Sequence, residues 1–196
     1  PKMNHIIIMG PPFAGKDTIA SLLVKNFGLH QIGTGKILRE EQEAGTKIGR
    51  MADRLINSGG FIPDDVIIPM VKDRIIKYDG NVGLLFNGFP RTKEQAKHLH
   101  GCLHMRKSPI KGVIYLSAQE NILKERMLHR AKTEGRADDN EQAFINRMNE
   151  YHSKTAPLLE FFAKLGLIHR IDSNDPVDEV YLCVETLVKN WLAVPA

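Results

Sequence analysis

Residues 10–18, GPPFAGKDT, have the composition and spacing of a phosphate-binding loop. They follow the apolar run at 6–9, and their small residues allow backbone N–H groups to turn inward around an anion. A helix starting at the end of this loop would add the positive end of its dipole. Lys16 would then reach the β- and γ-phosphates of a nucleotide. An ordinary strand-to-helix turn is the alternative, but the position between a strand and a helix favours the phosphate loop.

Arginine residues form a second pattern that suits phosphate. Arg91 lies in NGFPRT at 87–92, directly after an apolar segment, where Gly88 and Pro90 would form a rigid turn. A guanidinium group is suited to bidentate phosphate contacts. The hydroxyl of Thr34, in Gly33-Thr34-Gly35, and the guanidinium group of Arg39 could hold a second ligand opposite the loop. Four further arginines follow at Arg126, Arg130, Arg136 and Arg147.

Each of these patterns also has a purely structural interpretation. Thr34 could cap a helix, Arg91 could lie in a solvated turn, and the later arginines could pair with Asp138 and Asp139 on a solvated face. Together with a phosphate loop, they favour a phosphoryl-transfer site that works by positioning and electrostatics, with Mg²⁺ bridging the phosphates. An acceptor phosphate is largely ionised at pH 7 and needs no general base.

The secondary structure that would position these residues alternates between strands and helices. Short apolar runs predict buried parallel strands at about 5–9, 29–32, 82–86, 112–116 and 167–171. The first helix has Ile19, Leu22, Leu23 and Phe27 on one face and ends at Gly28. Further helices are expected at about 36–44, 46–58, 64–77, 92–104, 119–131, 139–152, 154–165 and 177–192. This order predicts an α/β fold with a doubly wound, five-stranded parallel sheet flanked by helices.

Composition limits the other classes of function. The 196 residues suffice for one compact domain, and a net charge of +4 without a basic run does not indicate nucleic-acid binding. Cys102 and Cys183 are too far apart in sequence to form a CxxC motif, so a disulfide framework is not expected. No apolar stretch is long enough to span a membrane, so we expect a cytoplasmic protein.

Alternating histidines invite a metal-site hypothesis. HLHGCLH at 98–104 places His98, His100, Cys102 and His104 at every second position, which would share one face of a strand. The segment is predicted to be helical, however, and on a helix only His100 and His104 share a face. Surface histidines are therefore the favoured interpretation.

From about 5 to 191 the chain resembles the adenylate kinases of the nucleoside monophosphate kinase family. The resemblance is carried by the phosphate loop, Gly33-Thr34-Gly35 with Leu38-Arg39, GGFIPDDVI at 59–67, NGFPRT, and EGRADDN at 134–140 with Arg147. It implies a core at 1–33, 64–130 and 140–196, an NMP-binding insert at about 34–63, and a short lid at about 131–139. The last motif matches the short-lid form.

The resemblance also implies roles for individual residues. Residues implied to bind ATP are Gly10, Ala14, Gly15, Lys16, Asp17, Thr18 and Arg126, with Arg126 packing against the adenine. Arg130, Arg136 and Arg147 would clamp phosphates when the lid closes, and with Lys16 and Arg91 they would form the catalytic set. Residues implied to bind AMP are Thr34, Arg39, Gly60, Ile62, Gly88, Arg91 and Gln95.

The implied reaction is ATP + AMP = 2 ADP, with Mg²⁺ accompanying ATP. Thr34 and Gln95 match the AMP-specific members, whereas pyrimidine-specific relatives tend to carry Ala and Asn at these positions. The expected ligands are ATP, AMP, ADP and bisubstrate analogues such as Ap5A, and a monomer without nucleic-acid or membrane partners is expected. A kinase for UMP or CMP and a catalytically impaired nucleotide-binding homologue are the alternatives.

The positions at which the chain departs from the family pattern are those around the implied Mg²⁺ site. The family usually has Gly where this chain has Asp17, Asp where it has Lys36, and Asp where it has Asn87. Phe13 replaces a mid-loop glycine. In one interpretation Asp17 supplies a metal-binding carboxylate and Asn87 bonds a metal-bound water. In the other, Asp17 repels the phosphates, at a cost on the order of 4 kcal/mol for two charges ~4 Å apart.

Overall fold

The computed structural model describes residues 4–57, 62–134 and 139–193. In these residues the chain alternates between strand and helix in its core, as predicted. The strands are β1 (His5–Met9), β2 (His30–Gly33), β3 (Leu84–Asn87), β4 (Ile110–Ser117) and β5 (Ile168–Asp172). The helices are α1 (Lys16–Phe27), α2 (Thr34–Glu43), α3 (Lys47–Asn57), α4 (Asp64–Lys77), α5 (Lys93–Met105), α6 (Glu120–Glu134), α7 (Glu141–Glu150), α8 (Pro157–Lys164) and α9 (Val177–Ala193).

The five strands form one parallel sheet in the order β2-β3-β1-β4-β5. The predicted doubly wound α/β fold is therefore confirmed. The chain leaves β1 toward β2 and β3 on one side and reaches β4 and β5 on the other, which makes a crevice at the carboxyl ends of the central strands. Asn87 pairs in register with Ile8 of β1 and with Gly33 of β2, so these three strands end at nearly the same level.

Two apolar layers cover the faces of the sheet. Ile6 and Ile8 of β1 point to one layer, where Leu23 of α1 and Val184 of α9 pack. Ile7 points to the other layer, which includes Leu99 of α5 and Phe162 of α8. Successive side chains of a strand alternate between faces, so a strand that is apolar at every position contributes to both layers.

The edge strand β5 differs from its prediction. We expected it to be buried like the others, but Ile168–Asp172 is half-buried or exposed at every position. A strand at the edge of a sheet has a neighbour on one side only, so polar residues such as His169 and Arg170 can face solvent. The same holds for the first residues of β2.

Some helix boundaries match their predictions and others differ. Helix α1 ends at Gly28, which adopts a φ of 66° and donates its N–H to the carbonyl of Val24, as predicted. Helix α2 begins at Thr34, two residues earlier than expected. Between α7 and α8 the chain forms a π-helical turn at Tyr151–Thr155; this wider turn replaces the predicted break near residue 153.

Helix α5 contains the histidine segment, as predicted. His98 pairs with Glu94 one turn earlier, His100 stacks on His104, and Cys102 is buried in the core. Of the four side chains, therefore, His100 and His104 lie together, whereas His98 and Cys102 have other surroundings. Among the described residues, no group of three or more His, Cys, Asp or Glu side chains is arranged to hold a metal ion.

A buried histidine makes the folding free energy dependent on pH. His5 is 1% exposed, its Nδ1 accepts the Leu84 N–H at 3.0 Å, and its Nε2 lies 2.8 Å from the hydroxyl oxygen of Ser108. A backbone N–H can only donate, so the neutral ring carries its proton on Nε2 and donates it to Ser108. Burial, with a smaller effect from the charge of Arg106, lowers the pKa of His5 to about 4.

We therefore expect the free energy of unfolding to fall as the pH drops from about 6.5 to about 4. Over this window the unfolded chain protonates His5 while the folded chain does not, at a cost approaching about 3 kcal/mol. Urea unfolding of wild type and His5→Asn at pH 7.5, 6, 5 and 4.5 measures the difference. His30→Asn, which changes an exposed histidine stacked on half-buried Tyr78, is the control. Identical pH slopes for wild type and His5→Asn would contradict the assignment.

No helix within the described ranges combines the length and apolar character needed to cross a bilayer.

Candidate phosphoryl-transfer site

A cleft of about 450 Å³ opens at the carboxyl ends of β1, β2 and β3. Its walls are the loop after β1, the start of α2, the turn after β3, and parts of α6 and α7. Of the charged residues that the structure describes along it, one is a carboxylate, Asp17, and six are cations: Lys16, Lys36, Arg39, Arg91, Arg130 and Arg147. Such an excess of positive charge in a concave site attracts a polyanion.

The loop after β1 brings Lys16 to the floor of this cleft. Gly15 adopts a φ of 91° and precedes the first helical residue, so the N-terminus of α1 points toward the loop. The Lys16 ammonium group donates to the carbonyl oxygen of Pro11 at 2.7 Å. Burial and the nearby charge of Arg91 lower the pKa of Lys16 to about 8, although Asp17 opposes the shift. The lysine thus remains mostly protonated at pH 7.

Asp17 and Asn87 meet across the floor of the cleft. The Asn87 side-chain amide donates to the Asp17 carboxylate with 2.8 Å between Nδ2 and Oδ1. Asn87 is buried at the end of β3, whereas Asp17 is exposed in the first turn of α1. A carboxylate of α1 therefore lies at the carboxyl end of β3.

The turn after β3 aims Arg91 into the cleft. Gly88 has a φ of 76°, and a Cβ there would lie 2.8 Å from the Thr34 hydroxyl oxygen and 3.1 Å from a terminal nitrogen of Arg91. Its carbonyl accepts from the Thr34 hydroxyl at 3.1 Å and from Arg91 Nε at 2.9 Å. Only glycine combines this backbone conformation with such close neighbours. The helix-capping alternative for Thr34 is wrong, because Gly33 precedes α2 and the hydroxyl reaches Gly88 instead.

Gln95 is fixed in the cleft wall by a carboxylate and a backbone amide. Its Nε2 donates to Asp64 Oδ1 at 2.7 Å, and its Oε1 accepts from the Arg91 N–H at 2.7 Å. Asp64 also accepts from the hydroxyl of Thr92, which caps α5. Gln95 is 3% exposed, so this network determines the direction of its amide group.

Two arginines of α6 and α7 converge on one buried carboxylate. Asp139, whose side chain is fully buried, accepts Arg130 Nε and Nη2 at 2.5 and 2.6 Å and Arg147 Nη1 at 3.2 Å. Burial alone would raise the pKa of Asp139, but the two arginines outweigh it and hold the pKa below its ordinary value. The arginines are thereby gathered at the edge of the phosphate loop.

The chain matches one protein family over most of its length. The family model described as adenylate kinase matches residues 8–167. The chain belongs to the adenylate kinase family. It is 38% identical to an adenylate kinase of Leptospira biflexa over 91% of this chain and 96% of that one. Adenylate kinases of Prochlorococcus marinus and Methylobacterium nodulans match at 36% and 38%, covering 93% and 98% of this chain and 97% and 100% of theirs. The chain is accordingly a P-loop phosphotransferase.

Most of the residues expected at the site do lie along this cleft of the adenylate kinase fold. Those along its walls are Gly10, Lys16, Asp17, Thr34, Arg39, Ile62, Asn87, Gly88, Arg91, Gln95, Arg130 and Arg147. Ala14, Gly15 and Thr18 belong to the loop and to the start of α1. Gly60 and Arg136 lie outside the described residues.

Arg126 takes a different position from the other arginines. Its guanidinium donates to the carbonyl oxygens of Ser173, Asn174 and Asp175 at 2.6, 3.3 and 3.0 Å, and to that of Phe13 at 3.5 Å. It thereby joins the segment after β5 to the phosphate loop.

The sequence patterns did not indicate two residues that support the site. Asp64 holds Gln95, and the Thr155 hydroxyl donates to the carbonyl of Arg91 at 2.9 Å. Pairing of the later arginines with Asp139 was considered on a solvated face, whereas the Asp139 carboxylate that binds Arg130 and Arg147 is buried. Asp64 lies in the GGFIPDDVI segment, but its partner is 31 positions away, so no local pattern connects them. Thr155 is 64 positions from Arg91 and lies in the π-helical turn.

Proposed function

We propose that the protein transfers a phosphoryl group reversibly from ATP to AMP, giving two molecules of ADP, with Mg²⁺ as the cofactor. One observation carries this proposal: the phosphate loop and the Arg39–Arg91 wall face the same cleft, and Arg91 is close enough to Lys16 to lower its pKa. A single phosphate would not require two sets of cations. Two phosphorylated substrates placed end to end would use both.

The donor triphosphate is proposed to occupy the loop. Backbone N–H groups of the loop and the start of α1, including Gly10, Ala14, Gly15 and Thr18, would cradle its phosphates, with Lys16 reaching the transferred group. Arg130 and Arg147, together with Arg136, would clamp the developing charge from the opposite side. Arg126 would lie beside the adenine, because it joins the loop to the segment after β5.

The acceptor monophosphate is proposed to bind between Arg39 and Arg91, with its base toward Thr34, Gly88 and Gln95. Gln95 suits this role because its amide keeps one N–H and one carbonyl lone pair after binding Asp64 and Arg91. A base that offers both an acceptor and a donor at one edge would fill this remaining capacity. Backbone near Gly60 and Ile62 would complete the pocket.

The residues on the floor of the cleft fit a magnesium ion that is also bound by substrate phosphates. Mg²⁺ usually keeps several waters and needs only one or two carboxylates besides the phosphates. Asp17 supplies one carboxylate there, and Asn87 orients it through the 2.8 Å hydrogen bond. When bound, the ion would neutralise charge on the β- and γ-phosphates. Asn87 would also contact a water of its hydration shell.

Catalysis would then consist of orientation and exclusion of water. Lys16, Arg91, Arg130, Arg136 and Arg147 would hold the attacking and leaving oxygens in line, and the ionised acceptor phosphate needs no base. We infer that the insert at 34–63 and the lid at 131–139 close over both substrates, because water near the γ-phosphate would hydrolyse it. The protein is proposed to act as a cytoplasmic monomer.

We expect a coupled ADP-formation assay with ATP·Mg²⁺ to show turnover with AMP at least tenfold faster than with CMP, UMP or GMP. The physical reason is that Gln95 and Thr34 present hydrogen-bonding groups in fixed directions, and a mismatched base leaves them unpaired. Equal turnover of CMP or UMP would refute the assignment of base recognition to these residues.

A nucleotide-binding protein without transfer activity is the second candidate. The exposed Asp17 carboxylate in the loop and Lys36 in place of the family acid favour it, since both change the charge around the metal. Tight ATP·Mg²⁺ binding by calorimetry without ADP formation from any of the four monophosphates would select it.

A further inference from the structure

Phe13 occupies an unusual backbone conformation in the middle of the phosphate loop. Its φ is 65°, in the left-handed region, where bulky residues are rare and strained. A glycine would adopt this conformation without strain. Such strain persists only where surrounding contacts hold the residue, and at functional sites it accompanies pre-organisation.

Two arginines and one aromatic side chain lie against the Phe13 ring. The guanidinium carbon of Arg130 lies 4.7 Å from the ring centroid, and that of Arg147 lies 5.7 Å away. The ring of Phe144 on α7 packs against it at 5.9 Å between centroids. A cation within about 6 Å of an aromatic face is attracted by the ring quadrupole.

The Phe13 ring and the Asp139 carboxylate both contact two guanidinium groups of like charge. Asp139 pairs with both arginines and so draws two positive charges together. The face of the Phe13 ring provides a second, uncharged attraction that does not compete with an incoming anion for hydrogen bonds. The ring and the carboxylate together therefore hold both guanidinium groups beside the loop.

We propose that Phe13 is a positioning residue of the ATP site. Its ring holds Arg130 and Arg147 over the phosphate loop before nucleotide binds, so that the triphosphate meets a preformed clamp. The benefit is entropic, since two long side chains lose less freedom on binding when they are already ordered. This inference rests on the proposed ATP site, and it assigns to the loop a role beyond its backbone cradle.

The alternative role for Phe13 is packing against Phe144 alone. Phe13→Leu keeps most of the apolar volume and the left-handed strain but removes the aromatic face, whereas Phe13→Tyr keeps the face. The two variants therefore separate packing from cation binding. Phe13→Gly suits the backbone and serves as a third variant if leucine destabilises the loop.

Two measurements on the purified proteins test the proposal. In the ligand-free protein, the Arg130 Nε–H resonance, identified with Arg130→Lys, should be shifted by the ring current in wild type and Phe13→Tyr but not in Phe13→Leu. The Kd for ATP·Mg²⁺ by calorimetry should rise about fivefold to tenfold in Phe13→Leu and Phe13→Gly and stay within twofold in Phe13→Tyr. The Kd for AMP should not change in any of them.

Wild-type ATP affinity in both Phe13→Leu and Phe13→Gly, or an equal loss in Phe13→Tyr and Phe13→Leu, would overturn the proposal. Neither measurement requires turnover. A protein that binds ATP with these differences but forms no ADP would therefore refute the proposed kinase activity and leave the role of Phe13 supported.

Discussion

The Arg91→Ala variant is expected to form ADP on the order of 10³-fold more slowly than wild type while unfolding at nearly the same temperature. Arg91 lies in the part of the cleft proposed to bind the acceptor phosphate, and its charge lowers the pKa of Lys16. It would therefore lie where the two substrates meet. Removal of a cation that stabilises charge in the transition state lowers kcat, and not merely substrate affinity.

Stability should change little because two hydrogen bonds of Arg91 come from its backbone and not from its side chain. Its N–H binds Gln95 and its carbonyl binds Thr155, and both bonds survive the substitution. The side chain is exposed in the ligand-free protein and bonds the carbonyl of Gly88 only three residues away. Steady-state kinetics and thermal unfolding of the same preparation measure the two effects.

Two matched variants control this experiment. Arg91→Lys keeps the charge and loses the planar fork, so we expect an intermediate loss of activity. Arg106→Ala removes an arginine that bonds the carbonyls of Ile76 and Tyr78 outside the cleft, and its kcat should equal that of wild type. An Arg91→Ala enzyme with wild-type kcat would remove Arg91 from the catalytic set.

The Asp17→Asn variant is expected to need at least tenfold more Mg²⁺ for half-maximal activity and to lose about 10-fold to 100-fold in activity at fixed Mg²⁺. The substitution keeps an oxygen that can accept from Asn87 and removes only the negative charge. If the carboxylate orients the hydration shell of the metal, its loss lowers the affinity for Mg²⁺ and leaves AMP binding unchanged. Mn²⁺ binding by paramagnetic resonance in the presence of ATP provides a readout independent of turnover.

The opposite result would identify Asp17 as a repulsive group. An uncompensated charge about 4 Å from a phosphate costs on the order of 4 kcal/mol at an effective dielectric near 20, so its removal would tighten ATP binding by up to roughly a thousandfold. We expect the loss rather than the gain, because six cations line the same cleft and offset the repulsion. Asp178→Asn changes an exposed acid in the first turn of α9 and serves as the control.

Local patterns were sufficient for the elements and for the main parts of the cleft. The run at 6–9 and the helix that ends at Gly28 follow from apolar spacing and a left-handed glycine, which act within a few residues. The loop at 10–18 is recognisable because strand, glycines and lysine are consecutive. Burial of β5 was predicted incorrectly because the apolar character of a strand does not reveal its place at the edge of a sheet.

By itself, the sequence determined the α/β class and the phosphate loop, since these depend on residue types at short spacing, and it predicted that Lys16, Arg39 and Arg91 form an anion-binding set. Only the tertiary structure decided the strand order, the partner of Asp17, and the contacts of Arg130 with Phe13 and Asp139. Asn87 lies 70 positions from Asp17, and Phe13 lies more than 100 positions from both of its arginines. Such contacts arise when the carboxyl ends of separate strands are brought to one edge of the sheet, and no local periodicity encodes them.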